Sequence, residues 1–364
     1  MLAERSLTVA RLRVRPLDVP IRRPLATSAG TVSSAAIVAI DLMTDDGPTG
    51  CAYIQVYAPW ALGPMAQLIE RLGEFIAGRP LAPLEIEERL QGKLKLPGAQ
   101  GFTLMALAGL DMAAWDALAK ARELPLASLL GGAPRPIAAY NSNGLGIIGE
   151  ARAAGEAREL VAEGFRAIKV RVGYPDAGTD LAVVRAVREA VGADVTVMAD
   201  YNQALRVRDA IDRIRMLDDE GLLWVEEPVA ADDAHGHADV RGAVGTAIQT
   251  GENWWGPHPM AEFLRLRACD YGMPDAMKIG GVTGWLRAAA LAESAGLPLS
   301  SHLYPEISAH LLAVAPTRHY LEYVNWAEAI LAQPLAIKDG EAIASSAPGS
   351  GISWNEEALT RYAV

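Results

Sequence analysis

Residues 195–200, Val-Thr-Val-Met-Ala-Asp, form an apolar run that ends on an acid. The pattern returns at 222–226, Leu-Leu-Trp-Val-Glu, and at 247–252, Ala-Ile-Gln-Thr-Gly-Glu. The three acids, Asp200, Glu226 and Glu252, lie 26 and 26 residues apart. A strand, its loops and a covering helix occupy about 30 residues. Working outward, similar runs occur at 137–140, 167–172, 271–276, 297–300 and 320–323; the eight starts are 30, 28, 27, 25, 24, 26 and 23 residues apart. Helical patterns fill most gaps, as at 180–191, 207–220 and 282–295. Eight such steps with near-continuous apolar strands predict a parallel sheet covered by helices and closed into a barrel.

The stretch before the barrel has a different texture. Residues 11–19, 35–43 and 51–57 read as strands, the last two joined by the turn formers Thr44-Asp45-Asp46-Gly47-Pro48-Thr49-Gly50. From about 61 to 122 the pattern is helical. The expected organisation is therefore α/β: an α+β unit over 1–133, a barrel over 134–324, and a C-terminal segment over 325–364 that packs back on the first unit.

Composition limits the partners. The 364 residues carry 33 Lys+Arg against 44 Asp+Glu, a net charge of −11, which argues against nucleic acid or an anionic membrane as a general partner. Two cysteines, Cys51 and Cys269, are too few for a disulfide scaffold or a Cys-ligated zinc site. The most apolar helical stretch, 104–119, is broken by Asp111 and Asp116, and residues 1–15 have no signal-peptide core. The expectation is a soluble, cytoplasmic protein.

In a barrel of this kind chemistry sits at the C-terminal strand ends. Those ends carry Lys169 and Arg171, Asp200 and Asn202, Glu226 and Glu227, Glu252 and Asn253, Asp275 with Lys278, His302, and Glu322. Three converging carboxylates repel one another unless protonated, paired or bound to a cation. Oxygen-only ligands suit Mg²⁺ or Mn²⁺. The bland reading, in which each acid caps the following helix, does not account for equal spacing on consecutive strands. Lys169 and Arg171, two apart, face the same side of a strand. Asp275 and His302 are 27 apart, one unit, so a carboxylate can orient the imidazole as a general base. His235, His237, His258, His310 and His319 lack such a partner and read as surface or structural. A Gly144-x-Gly146-x-x-Gly149 match, with Glu163 beyond it, is the sign for a dinucleotide site and an NAD-dependent dehydrogenase; in this context the glycines read better as a shaped βα loop.

Six segments together resemble the mandelate racemase group of the enolase superfamily: 165–174 around Lys169 and Arg171, Ala199-Asp200-Tyr201-Asn202-Gln203, Trp224-Val225-Glu226-Glu227-Pro228, 251–256 from Gly251-Glu252, 274–285 around Asp275 and Lys278, and Ser300-Ser301-His302-Leu303. The likeness runs nearly end to end. It implies a (β/α)₇β modified TIM barrel under a capping domain built from the N-terminal unit and the C-terminal tail. It implies Mg²⁺ held by Asp200, Glu226 and Glu252, His302 as acid/base oriented by Asp275, and Lys169 with Glu322 at the substrate carboxylate, Glu322 as a hydrogen-bonding acid. Asn202 and Ser142 match substrate contacts, and Lys278 is grouped with them. Leu25, Val32, Gln55 and Tyr57 match the pocket formed by the capping loops. The family often forms octamers, so a homo-oligomer is expected. The implied chemistry is removal of the α-proton of a hydroxy carboxylate through a metal-stabilised enolate, giving racemisation or epimerisation.

Two positions depart from that pattern. Arg171 stands where mandelate racemase has the lysine that serves as second base, and arginine scarcely loses a proton near neutral pH. The alternative is a one-base dehydratase of a polyhydroxy acid, worked by His302. Gln55 replaces a phenylalanine, which points to a substrate less purely aromatic than mandelate. A carboxylate-binding protein without turnover is the alternative from another class; the intact acids and dyad speak against it.

Overall fold

Strand β1 (Val9–Thr27) opens an antiparallel three-stranded sheet with β2 (Gly30–Thr44) and β3 (Gly50–Gln55). The structure, a computed structural model, describes residues 7–28 and 30–364. Residues 1–6, within the 1–15 stretch read above for a signal-peptide core, and Ala29 between β1 and β2 lie outside the described residues. Helices α1 (Leu62–Glu74), α2 (Pro83–Lys93), α3 (Phe102–Ala121) and the short α4 (Leu126–Leu129) follow. Helix α3 lies close against β3, where Gly50 leaves room: a Cβ there would sit 1.9 Å from the Ala113 carbonyl oxygen.

By length and composition α3 is apolar enough to cross a bilayer, yet most of it is buried in the protein. Its two acids explain why it stays there. Asp111 accepts from the Thr283 amide at 3.0 Å, and Asp116 accepts from the Cys51 amide at 2.7 Å and the Ser350 amide at 2.6 Å. These bonds satisfy both buried carboxylates and join the helix to the barrel, the sheet and the tail.

The barrel alternates β4 (Pro136–Asn141), α5 (Glu150–Ala162), β5 (Ala167–Arg171), α6 (Ala177–Val191), β6 (Thr196–Asp200), α7 (Val207–Leu217), β7 (Val225–Glu226), α8 (Ala234–Ala243), β8 (Ile248–Thr250), α9 (Pro257–Leu266), β9 (Tyr271–Gly272), α10 (Gly281–Ala295), α11 (Pro305–Val314) and β10 (Leu321–Tyr323). Strands β4 to β9 pair in parallel in chain order, and β10 pairs with β4. The isolated bridges Gly272–Leu299, Asp275–His302 and Leu299–Arg318 carry the strand succession from β9 on toward β10. The runs at 271–276 and 297–300 are thus less regular than expected. Pro274 and Pro298 supply no amide hydrogen, which interrupts both ladders. The tail adds a hairpin, β11 (Ala336–Lys338) and β12 (Glu341–Ile343), whose second strand pairs with β4. It then runs to α12 (Glu356–Arg361) beside the N-terminal sheet, where Trp354 donates to Asp41 at 2.6 Å.

Side-chain alternation builds the barrel interior in layers. Tyr140, Ala167, Met198 and Trp224 form an apolar floor. One step further along the same strands stand Lys169, Asp200 and Glu226, all buried.

Candidate active site

Parallel register places Arg171 beside Asp200 and Asp200 beside Glu226. Glu252 follows β8 by two residues. Oxygens of Asp200, Glu226 and Glu252 all lie within 4.8 Å of one another. Lys169 Nζ touches all but Glu252: it donates to Glu226 Oε1, lies 3.3 Å from Asp200 Oδ2, and meets Glu322 Oε1 at 2.9 Å. Burial works to lower the Lys169 pKa, but Glu226, Glu322 and Asp200 outweigh it and hold the amine well above its ordinary value. Burial pushes the Glu226 carboxyl up to about 8, Lys169 opposing and the neighbouring acids adding to the rise. An anionic cluster of hard oxygens, buried and short of countercharge, fits a small divalent cation. Neutral donors hold Asp200 and Glu252 as well: Asn202 N reaches Asp200 Oδ1 at 2.7 Å, and Asn253 Nδ2 reaches Glu252 Oε1 at 3.3 Å.

Across the site, His302 Nδ1 is 2.7 Å from Asp275 Oδ2. Asp275 is fixed in turn, its Oδ1 accepting from the amides of Met277 at 2.8 Å and Lys278 at 2.9 Å. The other ring nitrogen, Nε2, faces Glu252 Oε2 at 3.4 Å and Glu322 Oε2 at 3.7 Å. Burial alone would lower the His302 pKa; Glu252, Glu322 and Asp275 raise it to about 9. Glu322 accepts from the Leu303 amide at 3.0 Å. Burial opposes its ionisation, yet Lys169 and His302 hold it well below the ordinary carboxylate range.

Arg171 is immobilised differently. Its Nη1 donates to the carbonyls of Ser142 at 2.7 Å and Gly144 at 3.1 Å, and its Nη2 to Ser142 Oγ at 2.8 Å. Ser142 thus engages Arg171. Lys278 donates to Asn253 Oδ1 at 2.7 Å and sits 4.9 Å from the Tyr57 ring centroid and 5.7 Å from that of Trp255, so it joins the capping sheet to the barrel at the site's edge. Leu25 and Val32 face each other across the β1–β2 hairpin. That hairpin is tied to the barrel mouth by Ile147 N to Ala26 O at 2.8 Å, and by Ser28 Oγ, 3.1 Å from the carbonyls of Tyr201 and Asn202. Gln55 is buried; its amide donates to Tyr304 Oη at 2.9 Å, and its side-chain Nε2 has no partner.

The Gly144–Gly149 loop serves shape. A Cβ on Gly146 would fall 2.5 Å from Ala26 O, so glycine lets the hairpin dock. Glu163, the candidate ribose ligand, accepts from Asn141 Nδ2 at 3.1 Å and Arg23 Nη1 at 3.0 Å instead. Sequence reasoning did not single out Ser28, Trp224 or Gln249. Trp224 lies two residues before Glu226, and on a strand that spacing marks a shared face.

The family model "Mandelate racemase / muconate lactonizing enzyme, N-terminal domain" matches residues 9–131, and "Enolase C-terminal domain-like" matches residues 152–358. The chain belongs to the mandelate racemase and muconate lactonizing enzyme family of the enolase superfamily. A solved enolase from Bradyrhizobium, complexed with magnesium and mandelic acid, is 42% identical, with TM-score 0.95 and 100% of each chain covered. The 3,6-anhydro-alpha-L-galactonate cycloisomerase of Streptomyces coelicolor is 30% identical over 98% of this chain and 99% of its own. The L-talarate/galactarate dehydratase of Salmonella typhimurium is 29% identical over 94% and 87%. Epimerases also occur among the relatives. The chain is an enzyme of isomerase or lyase type.

Proposed function

We propose that this member of the family is a Mg²⁺-dependent dehydratase of a polyhydroxy carboxylic acid, with His302 as its single base. One observation carries the reading: the Arg171 guanidinium spends its Nη donors on Ser142 O, Gly144 O and Ser142 Oγ. A cation fixed by three acceptors is held in its charged form and offers no lone pair to a carbon-bound proton. Lys169 is no substitute, because three carboxylates keep it protonated. One face of the α-carbon therefore has a base and the other has fixed positive charge.

Asp200, Glu226 and Glu252 are the residues that hold the ion. A divalent cation there would offset the field of Glu252 on His302 and stabilise the negative charge that proton removal leaves on the substrate carboxylate. Lys169 adds a second positive group beside the same carboxylate. His302 Nε2 takes the α-proton while Asp275 keeps Nδ1 protonated. As the β-carbon–oxygen bond breaks, the proton on Nε2 passes to the departing hydroxide, and water leaves. The resulting enol then tautomerises to a 2-keto acid. Gln55 supports the substrate class: its buried, unpartnered Nε2 suits an oxygen acceptor on the distal part of a hydroxylated chain. A cytoplasmic location and a homo-oligomer belong to the same reading and rest on the family likeness.

The neighbour's mandelic acid favours a second reading, α-proton transfer on both faces of a hydroxy acid. Mandelate has no β-hydroxyl to eliminate, so the two readings separate cleanly. A hydroxy-acid library with Mg²⁺ in D₂O, followed by proton NMR and keto-acid detection, should give keto acid from polyhydroxy acids and α-deuteration of one configuration only. Equal exchange into both enantiomers without keto acid would overturn the dehydratase.

A further inference from the structure

The barrel floor does more than fill space. Glu226 is fully buried, and its two oxygens have different surroundings. Oε1 faces Lys169 Nζ. Oε2 accepts from Trp224 Nε1 at 3.2 Å and from Gln249 Nε2 at 3.1 Å. Both donors are themselves buried and constrained. Gln249 lies directly opposite Glu226 in the β7–β8 ladder, and its Nε2 also contacts Met273 Sδ at 3.2 Å. Turning its carboxamide over would set Oε1 against a carboxylate oxygen, so the Nε2-inward orientation is the one electrostatics selects. The Trp224 indole is wedged among Tyr140, Tyr271, His319 and Tyr320, with ring centroids 5.5 to 5.9 Å away.

From this geometry we infer that Trp224 and Gln249 are positioning residues for the metal: together they occupy Glu226 Oε2, so that Oε1, which Lys169 Nζ also meets, is the oxygen left for the ion. The inference rests on the metal reading of Asp200, Glu226 and Glu252. Both donors are neutral, which matters. A lysine or arginine in either place would cancel charge that the cation needs, as Lys169 already does in part. Neutral N–H groups fix direction and leave the carboxylate's charge in place. Outer partners of this kind typically set metal affinity by 10- to 100-fold.

The test uses the intact enzyme, Mn²⁺ and Mg²⁺ as probes, and calorimetry with Mn²⁺ electron paramagnetic resonance as readouts besides activity. Gln249→Met removes one donor at similar volume, and Trp224→Phe removes the other while keeping an aromatic ring in the floor. Either variant that folds suffices. Each should weaken the metal dissociation constant at least tenfold, while kcat at saturating metal stays near wild type. That split separates positioning from general damage, which would lower kcat and thermal stability together. Dissociation constants within twofold of wild type in a folded variant would overturn the inference. If the wild-type protein itself binds neither ion, the metal reading fails and takes this inference with it.

Discussion

Replacing Asp275 with asparagine tests the general base at the point where structure and chemistry meet. Asp275 is buried without exposure, bonds His302 Nδ1 through Oδ2 at 2.7 Å, and receives the Met277 and Lys278 amides on Oδ1. Asparagine has nearly the same shape. Its carbonyl must stay with the two amides, because the amide end would otherwise oppose two N–H groups. The NH₂ then faces His302 Nδ1 and demands an acceptor there, which moves the ring proton to Nε2. That is the atom required to take the α-proton. The same change deletes one of the charges that hold the His302 pKa up to about 9, so the imidazole also becomes a weaker base. In the Ser-His-Asp system the equivalent swap costs about 10⁴ in kcat. We expect a 10³- to 10⁴-fold fall in kcat, about 4–6 kcal/mol at 1.4 kcal/mol per decade. Metal affinity should be unchanged, since Asp275 is not among the three clustered acids. The assay is single-turnover keto-acid formation, paired with calorimetric Mg²⁺ binding. A folded variant retaining more than a tenth of wild-type kcat would refute the tautomer argument and with it the assignment of His302 as base.

Three further outcomes follow from the same geometry. Arg171→Lys cannot satisfy Ser142 and Gly144 as the guanidinium does, and it introduces a group that can lose its proton; deuterium should then enter from both faces of the α-carbon, and NMR exchange still confined to one face would count against a limiting role for the arginine. Gln55→Leu removes a buried donor without a partner, so the melting point should rise by the equivalent of about 1 kcal/mol while kcat/KM for polyhydroxy acids falls; a loss of stability, or unchanged kcat/KM, contradicts the distal-contact role. His310 is buried, and burial lowers its pKa to about 4, below the ordinary value of about 6.5. The unfolded chain therefore binds a proton that the folded one refuses, so stability is intact above about pH 6.5 and is lost as pH falls toward 4, at up to about 1.4 kcal/mol per unit. Urea midpoints measured across that window should drop, and His310→Gln should flatten the drop; identical slopes in both proteins would reject it.

What could be read in the sequence was what depends on chain period. Asp200, Glu226 and Glu252 are legible because one βα unit separates each from the next, and the structure draws their oxygens within 4.8 Å. Asp275 and His302 are legible for the same reason, and their parallel bridge realises it. Partners set by loops were not legible. Nothing in the spacing says that the turn after β4, with Gly144 at φ 60°, would aim two carbonyls at Arg171. Nor does composition reveal that Ser28, on a hairpin of the capping sheet, meets the backbone of Asn202. Strand lengths were overread where Pro274 and Pro298 break the ladder, because an apolar run reports burial and says little about amide pairing.

In the proposed dehydratase, the division of labour between Lys169 and Arg171 is the step by which one substitution redirects a shared scaffold. Both cations lie on β5 facing the same interior. Lys169 pairs with acids, so its charge is bound up with the carboxylate cluster and is available to any anion that joins it. Arg171 pairs with neutral oxygens, so its charge is not cancelled by its hydrogen-bond partners; its nearest carboxylate oxygen, on Asp200, is 3.9 Å from Nε. On the proposed dehydratase reading, a cation held immobile by neutral oxygens near the α-carbon would stabilise negative charge as it develops there but would not relay a proton. Those two properties together favour a carbanion that is formed from one side and resolved by expelling a group. They disfavour one that is reprotonated from the other side. On the proposed reading, the outcome is set less by the metal acids, which racemase and dehydratase chemistry both need, than by whether the second cation on β5 can give up its proton.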